Sequence, residues 1–193
     1  MHDRALTEAF SSPGVECRSA VDNLSFTPVQ LGDALTLQRL YASSPRYFQS
    51  IAAPLPLLED VTRELESALG DPRRQLEFVT LNAECAGYLD LKFDYPHAGD
   101  VTVNLLLIAE HHQRQGIGAR VMRVLETRLL GRVGRILAGV FGENPGAARF
   151  WEGLGYHFAV DARPVLIWYA KALHAPLPKE TVPNETAQLE VAR

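Results

Sequence analysis

Cysteine is nearly missing from this chain: 193 residues hold two, Cys17 and Cys85. They lie far apart and match neither a zinc-ligand spacing nor a redox Cys-x-x-Cys, so a disulfide framework and a thiolate metal site are not expected. A reducing compartment is the simplest reading. Long apolar runs are also lacking. None approaches the roughly 20 residues that a membrane-spanning helix requires. The N-terminus carries Asp3, Arg4 and Glu8 and has no apolar leader core, which points to a cytoplasmic protein. Asn184-Glu185-Thr186 fits a glycosylation acceptor, but without a leader it has no consequence. Positive charge is not in excess. The net charge is −4, so nothing global favours nucleic acid. What is present is globular: 47% hydrophobic and 22% charged residues, enough chain for one domain with its own core. No internal repeat is visible.

The ends differ from the middle. Met1 to Asn23 is polar and without a sustained period, and reads as a poorly ordered lead-in. From 173 to 193 Pro176, Pro178 and Pro183 with interspersed charge suggest a loose tail. Between them, 24–172 reads as the folded domain. Leu24 to Val29 fits a short strand, with Pro28 marking an edge or an end. Asp33 to Ala42 and Leu58 to Leu69 carry apolar residues at helical spacing, closed by Ser43-Ser44-Pro45 and by Gly70-Asp71-Pro72. Tyr47, Phe48 and Ile51 fall in an irregular stretch between them, either as a lid over a pocket or as pegs at the core edge. Leu76 to Leu81 and Cys85 to Phe93 fit two strands of a hairpin.

The chain is organised around Leu105 to Leu130. Val103 to Ala109 has the continuous apolar character of a strand covered on both faces. The turn Gln113-Arg114-Gln115-Gly116-Ile117-Gly118 follows. Then Ile117, Val121, Val124, Leu125 and Leu129 recur at helical spacing, and Gly131 is a natural stop. A strand feeding a helix through glycines leaves backbone N–H groups aimed outward at the positive end of the helix dipole, a ready site for phosphate. Arg114, Arg120, Arg123 and Arg128 make this segment locally basic. Arg135 to Phe141 fits the next strand. Asn144 and Pro145 suit the N-cap and first turn of a helix running to about Glu152. Tyr156 to Val160 and Val165 to Ala170 read as a closing antiparallel pair.

Two motifs carry a resemblance. Gln113-x-x-Gly116-x-Gly118 on a strand–turn–helix resembles the acyl-CoA turn of the GCN5-related N-acetyltransferases. Asn144 through Ala147, Phe150-Trp151 and Leu154-Gly155-Tyr156 resembles that family's second block. Both occur in the expected order with a strand between them, and the likeness spans Leu24 to Ala170. It implies an α/β fold with a mixed, mostly antiparallel central sheet flanked by helices and a splayed strand pair at the acyl-CoA site. It also implies transfer of an acetyl group from acetyl-CoA to a primary amine, of a small molecule or of a peptide or protein, by direct attack. Acetyl-CoA would be the co-substrate and no metal is called for. The partners would be acetyl-CoA and the amine acceptor, with no nucleic acid or membrane, in a monomer or homodimer.

The same resemblance assigns residues. Backbone from Gln113 through Arg114, Gln115, Gly116, Ile117, Gly118 and Ala119 would hold the pyrophosphate, helped by the side chains of Gln113 and Arg114. Ile108, Ala109 and Glu110 would supply free backbone N–H groups to the thioester carbonyl. Asn144 would lie near the pantetheine arm, Ala147, Phe150 and Trp151 would also belong to the cofactor site, and Trp151 is either packing or a wall of the acyl pocket. Strand alternation puts Tyr88, Asp90, Lys92 and Asp94 on one face between Cys85 and Asp94. That face is either solvated or a cleft wall, in which case Asp90 binds or deprotonates the amine. Tyr47, Phe48, Tyr88 and Asp90 are the substrate-pocket candidates. His111 and His112 read as exposed loop residues.

One departure affects the chemistry. The family frequently places an acidic Tyr seven residues after the Asn; here that residue is Trp151, whose indole N–H has no useful acidity. Tyr156 and Tyr47 are the alternatives. A Rossmann dinucleotide site would need a glycine where Val121 stands. The remaining competitor is a non-catalytic CoA-binding or regulatory module on the same fold.

Overall fold

Two left-handed residues, Asn82 (φ 50°) and Ala83 (φ 70°), turn β2 (Arg74–Leu81) back onto β3 (Glu84–Phe93). Such a two-residue turn matches the right-handed twist of the strands it joins. β1 (Leu24–Pro28) adds antiparallel to the outer edge of β2, and Pro28 closes it. β4 (Asp100–Ile108) pairs antiparallel with β3. It then feeds α4 (Ile117–Leu129), which crosses back to deliver β5 (Arg135–Phe141) parallel to β4. After α5 (Pro145–Gly153), β6 (His157–Ala162) and β7 (Leu166–Ala172) complete a seven-stranded sheet in the order β1-β2-β3-β4-β5-β7-β6. The computed structural model describes residues 23–142, 144–162 and 166–173. The expected lead-in and tail lie outside these, apart from Asn23 and Leu173. Both are attached: Asn82 N–H donates to Asn23 O at 3.1 Å, and Leu173 N–H to Gly134 O at 2.8 Å.

Each face of the sheet is covered. α1 (Ala34–Ala42), α2 (Pro45–Ser50) and α3 (Leu58–Gly70) lie on one side, where Leu37, Tyr41, Val61 and Leu65 pack on Phe78, Tyr88 and Leu107. α4 and α5 lie on the other, where Val121, Met122, Leu125 and Trp151 pack on Leu89, Leu91, Val101 and Val103. Alternation along β3 therefore sends Tyr88 to the first core and Leu89 to the second, as the sequence requires. The face bearing Tyr88 and Asp90 is not a solvated stripe, because α1 and α3 cover it. Tyr88 keeps 1% and Asp90 2% of its surface exposed. The stretch with Tyr47 and Phe48 is also corrected: it is helical, since Pro45 takes the first position of α2, where its missing N–H costs nothing. Among the described residues no helix is long and apolar enough to cross a membrane.

Charge pairs tie the layers. Arg128 of α4 donates to both carboxylate oxygens of the buried Glu77 on β2, at 2.9 Å each. Lys171 of β7 donates to Glu126 of α4 at 2.9 Å. Arg128 is therefore committed to structure and is not part of an anion site. At the paired end of β4, Arg135 Nε donates to Asp100 Oδ1 at 2.8 Å and Nη2 to Oδ2 at 2.6 Å. These bonds, chiefly, hold the Asp100 carboxyl below the usual aspartate range. A carboxyl lowered in the folded state stabilises the fold above its unfolded pKa, and that stabilisation fades as pH falls through the folded value. Asp100→Asn should thus lower stability by about 1–2 kcal/mol at pH 7. Chemical denaturation should show the difference from the parent shrinking as pH drops below about 3.9, the ordinary aspartate pKa.

Candidate active site

β4 and β5 are hydrogen-bonded from the Asp100–Arg135 pair to the Val103–Ala138 pair, and no further. The cause lies on the opposite edge of β4. Its pairing with β3 steps from Leu91–Val103 to Asp90–Leu105, leaving Asn104 as an extra residue. A bulge bends its strand and sharpens the twist, which carries the rest of β4 away from β5. The gap is a cleft open to solvent at its mouth. Asn104, Leu105 and Leu106 of β4 line one wall, and Gly139, Val140 and Phe141 of β5 the other. Asn144, Ala147 and Trp151 close one end, and Tyr47 of α2 and Ile51 just after it cover it. Of these residues the sequence pointed to Asn144, Ala147, Trp151 and Tyr47. Asn104, Leu105 and Leu106 sit inside an apolar run that reads as plain core, and only the bulge exposes them.

N–H groups point to alternate edges along a strand. Ala109 N–H donates to Ala86 O at 2.9 Å, on the β3 side. Those of Leu106 and Ile108 consequently face the edge that β5 has left. The expectation of free donors needs correction at Ala109 and at Glu110, whose N–H donates to Ser43 O at 3.4 Å. The Glu110 side chain serves α2 instead. Its carboxylate accepts the Arg46 N–H at 2.8 Å and anchors the start of that helix.

Beyond Ile108 the chain makes a short 3₁₀ turn, Glu110–His112, and reaches α4 through Arg114 (φ 61°) and Gly116 (φ 78°). Gly116 is the N-cap in left-handed conformation, a geometry that glycine adopts at little cost. It offers no side chain to cap the helix, so the first-turn N–H groups of α4 remain available to an anion. Gln113 does not reach toward this cradle. Its Nε2 turns back and donates to Ile108 O at 2.7 Å, and Gln115 Nε2 donates to His111 O at 2.8 Å. Both brace the turn instead of touching a phosphate. Gly118 also packs closely: a Cβ there would stand 3.3 Å from the Phe150 ring, which would have to give by a few tenths of an ångström. Phe150 is accordingly a wedge between α4 and α5, and does not line the cleft.

Asn144 fills two roles at once. Its Oδ1 accepts the Ala147 N–H at 2.9 Å, capping α5, while its Nδ2 donates to Ser50 Oγ of α2 at 3.4 Å. Gly142 permits the same approach. Its φ is 61°, and a Cβ would lie 2.7 Å from Ser50 O, so a side chain at 142 would push α2 off the cleft.

The tyrosines separate. Tyr47 lines the cleft, and its hydroxyl pKa is raised first by burial and then by Glu64. Tyr156 is fully buried behind Trp151, ring centroids 5.0 Å apart, and does not line this cleft. Burial, then the Glu126 carboxylate, raises its hydroxyl. Tyr88 and Phe48 are core residues packed edge-on against Tyr41, not pocket walls. Asp90 stands one hydrogen bond behind the cleft. Arg74 grips both its oxygens, and Asn104 Nδ2 donates to Oδ1 at 3.4 Å. Burial pushes the Asp90 carboxyl up, and Arg74 offsets part of that shift. Sequence reading passes over Glu64, which looks like one more charge on an amphipathic helix. Although solvent-exposed as a residue, its carboxyl is raised, first by the surrounding protein, with Asp90 adding to the shift and Arg74 opposing it.

The fold and the cleft agree with what sequence and structure comparison finds. The profile of the Acetyltransferase (GNAT) family matches residues 37–156. No match is found among curated protein sequences. Among solved structures, an acetyltransferase from Thermus thermophilus is 41% identical with a TM-score of 0.75, over 78% of this chain and 97% of that one. A ribosomal L7/L12 alpha-N-protein acetyltransferase in complex with coenzyme A has the same fold at 14% identity and TM-score 0.66, covering 78% and 94%. So has an aminoglycoside acetyltransferase in complex with coenzyme A, at 19% identity and TM-score 0.65, covering 78% and 95%. With its profile match and its splayed β4–β5 edge leading to an uncapped helix, this chain belongs to the GNAT acetyltransferase family.

Proposed function

We propose that this chain moves the acetyl group of acetyl-CoA directly onto a primary amine, carried by a small molecule or by a peptide or protein. The observation that carries the reading is continuity. Along one stretch of chain, the unpaired edge of β4 at Leu106 borders the cleft under α2, and the turn after Ile108 leads to the anion cradle at the uncapped start of α4. A long ligand with a phosphate group at one end and a reactive carbonyl at the other fits that path. Two relatives of the same fold act on amines, one on an aminoglycoside and one on a protein α-amino group.

When bound, acetyl-CoA supplies an activated thioester. The protein supplies placement and charge. First-turn N–H groups of α4 hold the pyrophosphate. Leu106 and Ile108 N–H groups meet the carbonyl oxygen and the negative charge that grows on it. Asn144, pinned by its cap and by Ser50, borders the pantetheine arm. At the acceptor end, Asn104 is backed by Asp90 and Arg74, and the acceptor attacks as the neutral amine after giving its proton to solvent water. Asn104, tied to Asp90, presents its Oδ1 to that amine. Tyr47 lines the cleft and, like any phenol, is protonated at neutral pH, so it is the donor placed to return a proton to the departing thiolate.

Two experiments test this reading. Acetyl-CoA at about 100 times its dissociation constant should stabilise the fold by roughly 2.7 kcal/mol in thermal denaturation, while NAD adds nothing; absence of the shift sinks the proposal. In a turnover assay with an amine acceptor, Tyr47→Phe should lose on the order of 10²-fold in kcat with unchanged CoA affinity. Tyr156→Phe and Trp151→Phe should keep most of the rate. The reverse pattern would move the acid to the residue behind Trp151.

A further inference from the structure

We propose that Glu84, His111 and His112 form a binding site for one divalent transition-metal ion of the zinc type. The imidazole nitrogens and the carboxylate oxygen of these residues all lie within 4.8 Å of one another. His111 Nε2 stands 3.4 Å and His112 Nε2 3.8 Å from Glu84 Oε1. Ligands about 2.1 Å from a tetrahedral ion are spaced about 3.4 Å apart, so small side-chain adjustments bring the three donors to one centre. Two imidazoles and a carboxylate suit zinc and its neighbours in the first transition row. Magnesium and calcium prefer sites made wholly of oxygen. A water would complete the four positions.

The surroundings support a built site. His112 Nε2 is buried and has no hydrogen-bond partner, a state that costs free energy unless something occupies its lone pair or takes its proton. The two rings are held together, centroids 4.1 Å apart. Their backbone is held too: His112 N–H donates to Ala109 O and Gln115 Nε2 to His111 O, both at 2.8 Å. Glu84 comes from a separate element, the first residue of β3 beyond the tight turn at Asn82 and Ala83. The ion would thus cross-link the β2–β3 turn to the 3₁₀ turn that leads into the anion cradle. Cys85 takes no part. Its thiol donates to Gly87 O at 3.8 Å.

The site is tested by calorimetric titration of the chelator-treated full chain with zinc chloride. The expected result is one ion per chain. Affinity should fall about tenfold or more in each of His111→Ala, His112→Ala and Glu84→Gln, and stay unchanged in Cys85→Ser. Cobalt(II) in place of zinc should show visible d–d absorption without a near-ultraviolet thiolate band. Magnesium chloride should produce no binding heat. Circular dichroism confirms that each variant is folded. No zinc binding by the parent chain, or undiminished binding by a folded His111→Ala/His112→Ala double variant, overturns the proposal.

Discussion

At Asn104, β4 carries one residue more than β3 can pair, and it leaves β5 at the same point. The cleft depends on that mismatch. A fully paired β4 would bury its N–H groups in a ladder and leave no space between the strands. The bulge ends the ladder after Val103 and turns Leu106 and Ile108 into donors along an open edge. The parting is confined to one end because Asp100 and Arg135 clamp the other. The cleft is therefore a wedge with a fixed apex.

Around this wedge the charges fall into two classes. Glu77–Arg128, Glu126–Lys171 and Asp100–Arg135 bridge neighbouring elements and hold the sheet and α4 in register. Asp90–Arg74 belongs to β2 and β3 but reaches Asn104 at the bulge. A buried pair of this kind contributes little net stability against an apolar substitute. Its place beside the one irregular residue of β4 ties it to Asn104, which lines the cleft.

α2 is the movable-looking part of the design only in sequence. In the fold it is fastened at both ends. The Arg46 N–H is held by Glu110, from the turn ahead of the cradle, and Ser50 is approached by Asn144 and Gly142 from the β5–α5 connection. Tyr47 and Ile51 reach the cleft as a consequence, and the two halves of the site are linked through the helix that roofs them.

Sequence alone determined most of the architecture. The strand and helix order, the cap at Asn144, the turn at Gly116 and the two-faced burial of Val103 and Ile108 follow from local periodicity and from residues with one favoured backbone role. These are properties of neighbours along the chain, and they survive in a one-dimensional reading. Helix α2 escapes such a reading because six residues with two adjacent aromatics carry too little period to show. What only the tertiary structure decided is which groups remain unengaged. The Gln113 side chain and the Glu110 N–H, expected at the ligand, are spent on Ile108 and Ser43. Tyr156 is sealed behind Trp151, while Asn104 and Leu106 emerge from an apolar run. Glu84 meets His111 across 27 positions of sequence. Each outcome depends on which strand is paired and which helix lies across it, and a hydrogen bond between distant residues leaves no mark on the spacing of either.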